Sequence, residues 1–155
     1  MAGYQVYVQI NNTLDVAMNN VVVVHVWPDG DMSDLFTFPT IAANSLGPPS
    51  KTLASSYTGS GYDIWTLIFN IDGDSKVYAM APTVANLTSS DAPPTALQFI
   101  IEPENEVAII NPHGPDALAR WADVATLGFL SGGATFSPAA AVSVQPETAK
   151  LSAQA

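Results

Sequence analysis

The sequence predicts an all-β protein, specifically an antiparallel β-sandwich with one short C-terminal helix. Short runs rich in Val, Ile, Phe and Tyr recur along the chain, which is typical of strands. Turns containing Gly, Asp, Asn or Pro separate these runs, and a helical period stands out in a single region. Many short strands at such regular spacing indicate a sandwich or a barrel.

The first three predicted strands differ in their patterns. Residues 4–10 alternate between the two faces, which predicts a half-buried strand. Residues 21–27, VVVVHVW, are unbroken and β-branched, which predicts a central strand covered on both faces. Residues 35–41 contain Pro39, and this predicts an edge strand because proline cannot donate a ladder hydrogen bond.

The middle of the chain continues the same alternation of strands and turns. The acidic sequence DGDS is typical of a hairpin turn between two strongly apolar runs, and PENE is a second turn of this kind. Further strands are therefore predicted over residues 51–54, 64–71, 76–81, 96–102 and 107–111.

One helix is predicted over residues 115–130. Pro115 suits the first helical position, and Leu118, Trp121 and Ala125 recur near a period of 3.6 residues. Two glycines after Ser131 would end it.

We expect a single domain over residues 1–137, which includes this helix. Residues 138–155 form an Ala-, Ser- and Pro-rich tail, in which Val142 and Val144 would add one edge strand before the chain end frays.

Charge excludes two classes of partner. The chain has 4 basic and 14 acidic residues, a net charge of −10, so it cannot neutralise nucleic-acid phosphates or anionic lipid headgroups. No run approaches the roughly 18 apolar residues of a membrane-spanning helix. The absence of cysteine and of a visible secretory signal predicts a cytoplasmic protein.

The acidic turns are candidates for a calcium site. Calcium prefers six to eight oxygen ligands, and two aspartate-bearing turns at the same end of a sandwich would supply several of them. The alternative is that Asp-Gly is favoured turn chemistry and that the carboxylates face water. The candidate ligands are Asp29, Asp31, Asp34, Asp72 and Asp74.

No cofactor, no enzymatic activity and no other metal site is predicted. His25 and His113 are too few for a zinc site, and His25 is interpreted as a partly buried imidazole that is hydrogen-bonded within the sheet. The segment around Ser60 resembles half of a nucleophile elbow, so a hydrolase with a cryptic Ser/His/Asp arrangement stays open as an alternative.

Aromatic residues beside turns indicate a ligand site. A flat ring combined with carboxylate acceptors suits a sugar, and the same rings suit a choline headgroup through cation–π contact. Trp65 is predicted to be a core anchor instead, because it shares a face with Leu67 and Phe69. The candidate ligand-binding residues are Trp27, Asp29, Asp31, Tyr57, Tyr62 and Asp63.

Residues 57–78 carry a resemblance to a known family. The stretch YTGSGYDIW, followed by an Asp-Gly turn and KVY, resembles the PUD domain family, named for nematode proteins up-regulated when insulin-like signalling is lost and with many fungal relatives. The early strand VYVQINN and His25 after a valine run also fit that pattern. The matching positions are Tyr57, Gly59, Asp63, Trp65, Asp72, Gly73, Val77 and Tyr78.

The resemblance covers roughly residues 4–111, and Ile64 departs from it where the family often has a second aromatic residue. It implies a compact antiparallel β-sandwich that can dimerise and that has no established enzymatic activity. A weaker similarity, in size, acidity and an early W-x-D-G, is to the aegerolysins, small acidic β-sandwich proteins that bind membrane lipids.

From these features we expect a non-enzymatic binding or interaction module of the PUD-like type that associates with itself as a dimer. The alternative is a protein that binds carbohydrate or a lipid headgroup through its loop aromatics.

Overall fold

The structure is a computed structural model that describes residues 4–26, 33–56, 62–88 and 95–125. All regular structure in these residues is β. The ten strands are β1 (Tyr4–Asn12), β2 (Met18–Val26), β3 (Ser33–Ile41), β4 (Ser45–Leu46), β5 (Leu53–Ser56), β6 (Ile64–Ile71), β7 (Val77–Val84), β8 (Ala96–Glu102), β9 (Glu106–Ile110) and β10 (Ala117–Asp123).

The strands form one continuous path in the order β3-β2-β6-β7-β10-β9-β8-β1-β4, and β5 also pairs with β1. All pairs are antiparallel except β1 with β8. The path curls into a nearly closed, barrel-like sheet around one apolar core. The predicted all-β, mostly antiparallel fold is therefore confirmed.

The strand β10 overturns the predicted helix over residues 115–130 in its described part. Ala119 and Trp121 face inward whereas Leu118 is 67 % exposed, which is a period of two and not 3.6. The first half of β10 pairs with β9 and the second half with β7. Pairing on both sides outweighs the local pattern because it satisfies two strand edges at once. Residues 126–130 lie outside the described residues, which contain no helix long and apolar enough to cross a membrane.

Two strand predictions depend on position in the sheet, and both are confirmed. Pro39 lies on β3, which is the last strand at one end of the path. Residues 21–26 of β2 are buried on both faces and lie between β3 and β6. The two ends of the sheet meet at β3 and β5, where Asp34 on β3 accepts a hydrogen bond from the Ser55 amide on β5.

One side of this junction is β3, and the opposite side, which we call the wall, runs along β1. The strands β4 and β5 and the segment between them follow β1: the Gly47 and Ser50 amides donate to the carbonyls of Ile10 and Val8 at 2.8 and 2.7 Å. No described strand pairs with the second edge of β3. The barrel-like sheet therefore has one seam, between β3 and this wall.

Candidate functional site: a buried carboxylate clamp and a groove at the seam

His25 lies at the end of β2 with its imidazole pointing into the protein. It pairs in register with Asp34 on β3 and with Trp65 on β6, and its exposed fraction is 0 %. The Trp65 ring stacks on the imidazole with a centroid distance of 4.1 Å. The predicted hydrogen-bonded histidine within the sheet is confirmed, and it is more deeply buried than expected.

Two carboxylates hold the two ring nitrogens. His25 Nδ1 lies 3.0 Å from Asp34 Oδ2, and Nε2 lies 2.7 Å from Asp63 Oδ1. We call His25, Asp34 and Asp63 the clamp. Since both carboxylates only accept, both nitrogens act as donors when the ring is an imidazolium. Burial opposes that charge most strongly, but the hydrogen bonds and charges of Asp34 and Asp63 together outweigh it and raise the pKa of His25.

Asp63 extends the clamp to the chain segment after β7. Its Oδ2 accepts from the Leu87 amide at 2.9 Å, and its own amide donates to Asn86 Oδ1 at 2.9 Å. The Ala85 amide donates to the Asp63 carbonyl, and Trp65 Nε1 donates to the Ala85 carbonyl. Asp63 is only 2 % exposed, so its carboxylate is a structural acceptor inside the protein.

Asp34 extends the clamp across the seam. Its Oδ2 also accepts from the Ser55 amide on β5 at 3.2 Å. One carboxylate oxygen thus joins β2, β3 and β5, and it closes the seam at that end without a strand ladder.

The clamp predicts how stability changes with pH. Because the pKa of His25 is raised above its ordinary value of 6.5 in the folded protein, the imidazolium stabilises the fold fully below pH 6.5. This contribution is lost as pH rises from 6.5 through the folded pKa. We expect the midpoint of urea unfolding to fall over that range, and we expect His25→Gln to reduce the slope. Equal slopes in both proteins would contradict the prediction.

The clamp leaves His25 without a free nitrogen. A general base or a metal ligand needs an unprotonated ring nitrogen directed at its partner, and both nitrogens of His25 face carboxylates. In the described residues, no group of three or more His, Cys, Asp or Glu is arranged to hold a metal ion. Ser60 lies outside the described residues, so the cryptic hydrolase stays untested.

A cavity lies along the seam. The Asp34–Ser55 contact closes one end, and at the other end Asn12 Nδ2 donates to the Ile41 and Ala42 carbonyls at 3.2 and 3.1 Å. Between them lies a groove of about 380 Å³. We call it the seam groove; its walls are residues 35–41 of β3 and residues 48–52.

The walls of the seam groove combine an apolar floor with a polar rim. Phe36 and Phe38 are buried beneath it, whereas Lys51 and Thr52 are exposed at its edge. The free edge of β3 runs along it, and such an edge presents backbone donors and acceptors. Pro39 contributes a carbonyl but no amide to that edge. This arrangement suits an extended polypeptide.

The predicted ligand-binding residues divide into three groups. Tyr62 is 59 % exposed and remains available to a ligand. Asp63, its neighbour, is buried and both of its carboxylate oxygens accept from the protein, so it is unsuited to contact a ligand. Trp27, Asp29, Asp31 and Tyr57 lie outside the described residues.

The structure does not bring together the described candidate calcium ligands of the two acidic turns. Asp34 pairs with His25 at one end of β2, whereas Asp72 follows Ile71, which pairs with Met18 at the other end. Six or seven residues along a strand span about 20 Å. Antiparallel pairing of β2 with β6 forces the two turns to opposite ends. Asp29 and Asp31 lie outside the described residues.

Asp72 and Asp74 serve the β6–β7 hairpin instead. Asp72 Oδ1 accepts from Asn19 Nδ2, and Asp74 accepts from the Lys76 amide and the Tyr78 hydroxyl. The hydrogen bond to Asp74 raises the pKa of Tyr78 to about 12, and that bond lowers the pKa of Asp74. These contacts support the interpretation of the acidic hairpin as turn chemistry.

Comparison with known proteins identifies no family for this chain. No model of a known protein family matches the chain, and no curated protein matches it. The candidate function therefore depends on the clamp and the seam groove.

Proposed function

We propose that this protein is a non-enzymatic binding module of the PUD-like type, in which the two halves of the curled sheet act as the layers of a sandwich. The observation that carries the proposal is the seam groove. Its volume of about 380 Å³ falls within the range of ligand sites, and its β3 wall offers a strand edge that no described strand occupies.

The ligand class that fits best is an extended polypeptide segment. Such a segment would add to the free edge of β3 between the two contacts that close the seam, with main-chain hydrogen bonds providing affinity. Lys51 at the rim suits an acidic side chain or a terminal carboxylate, because no ion pair is formed by Lys51 within the described part of the chain. Pairing between two copies through the same edge is one form of this binding and accounts for the expected self-association.

Tyr62 favours a second candidate function. An exposed aromatic ring of this kind suits a sugar face or a choline headgroup. This candidate places the ligand at the turn before β6 and not in the seam groove, so the two functions are separable by substitution.

A binding screen with full-length protein tests both candidates. Phage-displayed random linear peptides, a glycan array and phosphatidylcholine vesicles are offered to the protein at micromolar concentration. We expect peptides to be selected, and we expect Thr52→Trp, which fills the rim of the groove, to weaken the selected peptide roughly tenfold or more.

Two matched variants make the screen decisive. Thr95→Trp introduces the same ring at an exposed position away from the groove and should leave peptide binding unchanged. Tyr62→Ala should abolish any glycan or vesicle binding while sparing the peptide. If the selected peptides bound Thr52→Trp as tightly as the parent, peptide binding in the seam groove would be refuted. If no peptide were selected and the glycan array or the vesicles gave binding, the result would favour a ligand site at Tyr62.

A further inference from the structure

A second cavity lies at one end of the curled sheet. It has a volume of about 330 Å³ and is lined by residues 13–16, Ile71, Pro103 and Trp121. We call it the end pocket. Its lining residues come from the connection after β1, the end of β6, the turn after β8 and β10, so it lies where distant parts of the sheet path curl towards one another. The clamp is at the opposite end of β2, because Ile71 pairs with the first residue of that strand.

The apolar walls of the end pocket are continuous with the core. Leu14 and Trp121 belong to the core cluster, and Ile71 packs against it. The indole of Trp121 meets Phe69 and Tyr78 edge to face, with centroid distances of 5.6 and 5.5 Å. These contacts fix the ring, so the pocket offers a preformed apolar surface to the hydrocarbon part of a ligand.

The described lining side chains have no hydrogen-bond donor left for a ligand. Trp121 Nε1 donates to the Glu102 carbonyl at 3.0 Å, and Thr13 Oγ1 donates to the Ile101 carbonyl at 2.6 Å. The other lining side chains are apolar or, at Asp15, a carboxylate that only accepts. An anion or a carbonyl group would therefore find no side-chain donor among them.

Asp15 supplies the charge of the end pocket. Its side chain is exposed and lines the cavity, and it forms no ion pair in the described part of the chain. A free carboxylate beside an apolar wall favours a ligand that is positively charged and donates hydrogen bonds, because such charge-assisted bonds are stronger than neutral ones.

The surroundings of the end pocket carry the same sign of charge. The residues on either side of Pro103 are both glutamates, and Asp72 follows Ile71. Among the described residues, Arg120 is the only cation next to a lining residue in sequence. Alternation along β10 directs it outward, since Trp121 faces inward. An excess of negative charge around a cleft raises the local concentration of cations.

The indole of Trp121 favours a cation as well. Among aromatic side chains, tryptophan attracts a cation most strongly when the cation lies over its ring. The indole and the Asp15 carboxylate line one cavity, whose volume falls within the range of small-molecule sites. A single ligand of suitable size can therefore contact both.

We propose that the end pocket binds a small organic ammonium ion, with the charged nitrogen at Asp15 and the apolar part against Trp121 and Ile71. The ligand chemistry is a primary ammonium group on a short apolar stem. A free amine and a lysine side chain of another polypeptide are the two sources of this chemistry. The proposal is independent of the seam groove, which has different lining residues.

Titration of the full-length ¹⁵N-labelled protein with benzylammonium tests the proposal. We expect the indole ¹H–¹⁵N signal of Trp121 and the amide signals of residues 13–16 to shift until the site is saturated. Benzyl alcohol, which has the same ring without the charge, should bind about tenfold more weakly or worse. Equal affinity for the alcohol would overturn the proposal. Shifts confined to other residues, or no saturable binding at millimolar benzylammonium, would overturn it too.

Two substitutions at this end of the sheet locate the charge. Asp15→Asn keeps the shape of the side chain and removes its charge, and it breaks no ion pair among the described residues. We expect it to weaken benzylammonium binding about tenfold or more and to leave benzyl alcohol binding unchanged. Asp72→Asn changes an exposed aspartate outside the pocket and should weaken benzylammonium less than about twofold. Equal losses in the two variants would refute a site at Asp15.

A blocked lysine, Nα-acetyl-lysine N-methylamide, distinguishes the two sources of the ammonium group. Weaker binding than benzylammonium assigns the pocket to a free amine, and tighter binding assigns it to a lysine side chain of a partner; both results support an ammonium site. The Nζ-acetylated form of the same compound has no charge and should not bind. If the acetylated form bound as tightly as the charged form, the proposal would fail.

Discussion

Asp63→Ala is expected to lower the free energy of unfolding by about 3–5 kcal/mol, because it removes one partner of a buried ion pair. His25 would keep its burial but lose the closer of its two carboxylates, at 2.7 Å. The Leu87 amide would lose its acceptor as well. Urea unfolding near pH 6, where the imidazolium is favoured, measures the loss.

Two further variants separate the clamp from a general effect of losing an aspartate. Asp72→Ala removes a carboxylate from an exposed hairpin and should change stability by no more than about 0.5 kcal/mol. His25→Gln combined with Asp63→Ala should cost less than the sum of the two single changes, because the histidine charge is already gone. A loss below about 1 kcal/mol for Asp63→Ala, or strict additivity with His25→Gln, would show that the clamp is energetically unimportant.

The strands and the local role of His25 were predictable because their signals are local. Residues 5–10 and 96–102 alternate in sequence as they do in the sheet. Alternation along the valine run also placed His25 on the same face as Val21 and Val23, which are core residues. Pro39 indicated an edge because a missing backbone donor is intolerable in a central strand.

The partners of His25 were not predictable in the same way. Asp34 lies nine residues away and Asp63 lies 38 residues away in sequence, and their approach depends on the order of β3, β2 and β6 in the sheet. Periodicity reports which face a residue occupies and not which strand lies beside it. The sequence does contain one signal for these partners. Asp34 and Asp63 each stand directly before an apolar run, and His25 stands near the end of a third such run, so antiparallel pairing of the three strands would bring their side chains together.

The same limit explains β10 and the acidic turns. Leu118, Trp121 and Ala125 match a helical period, but the observed pairing depends on two strand edges contributed by β7 and β9. The two acidic turns look equivalent in sequence, yet the antiparallel register of β2 and β6 sets them at opposite ends. Sheet order, which no short window of sequence specifies, decides both outcomes.

Trp65→Ala is expected to cost about 3–5 kcal/mol of unfolding free energy, since it opens a large cavity in the core. Trp65 is fully buried, stacks on His25 and meets Phe99 edge to face with a centroid distance of 5.8 Å. Its Nε1 also donates to the Ala85 carbonyl at 2.9 Å, so the indole covers the clamp and ties the chain after β7 to it. Chemical denaturation followed by far-UV circular dichroism measures the loss.

Trp65→Phe divides that effect into its two parts. The smaller ring keeps apolar contact with His25 and Phe99 but leaves the Ala85 carbonyl without its donor, which costs about 1–3 kcal/mol. We therefore expect Phe to be clearly less damaging than Ala at this position. Tyr62→Ala, which removes an aromatic ring that is 59 % exposed, should stay within about 0.5 kcal/mol of the parent. If Phe proved as damaging as Ala, the hydrogen bond to Ala85 would be the main contribution of Trp65, and the stack on His25 would add little to the fold.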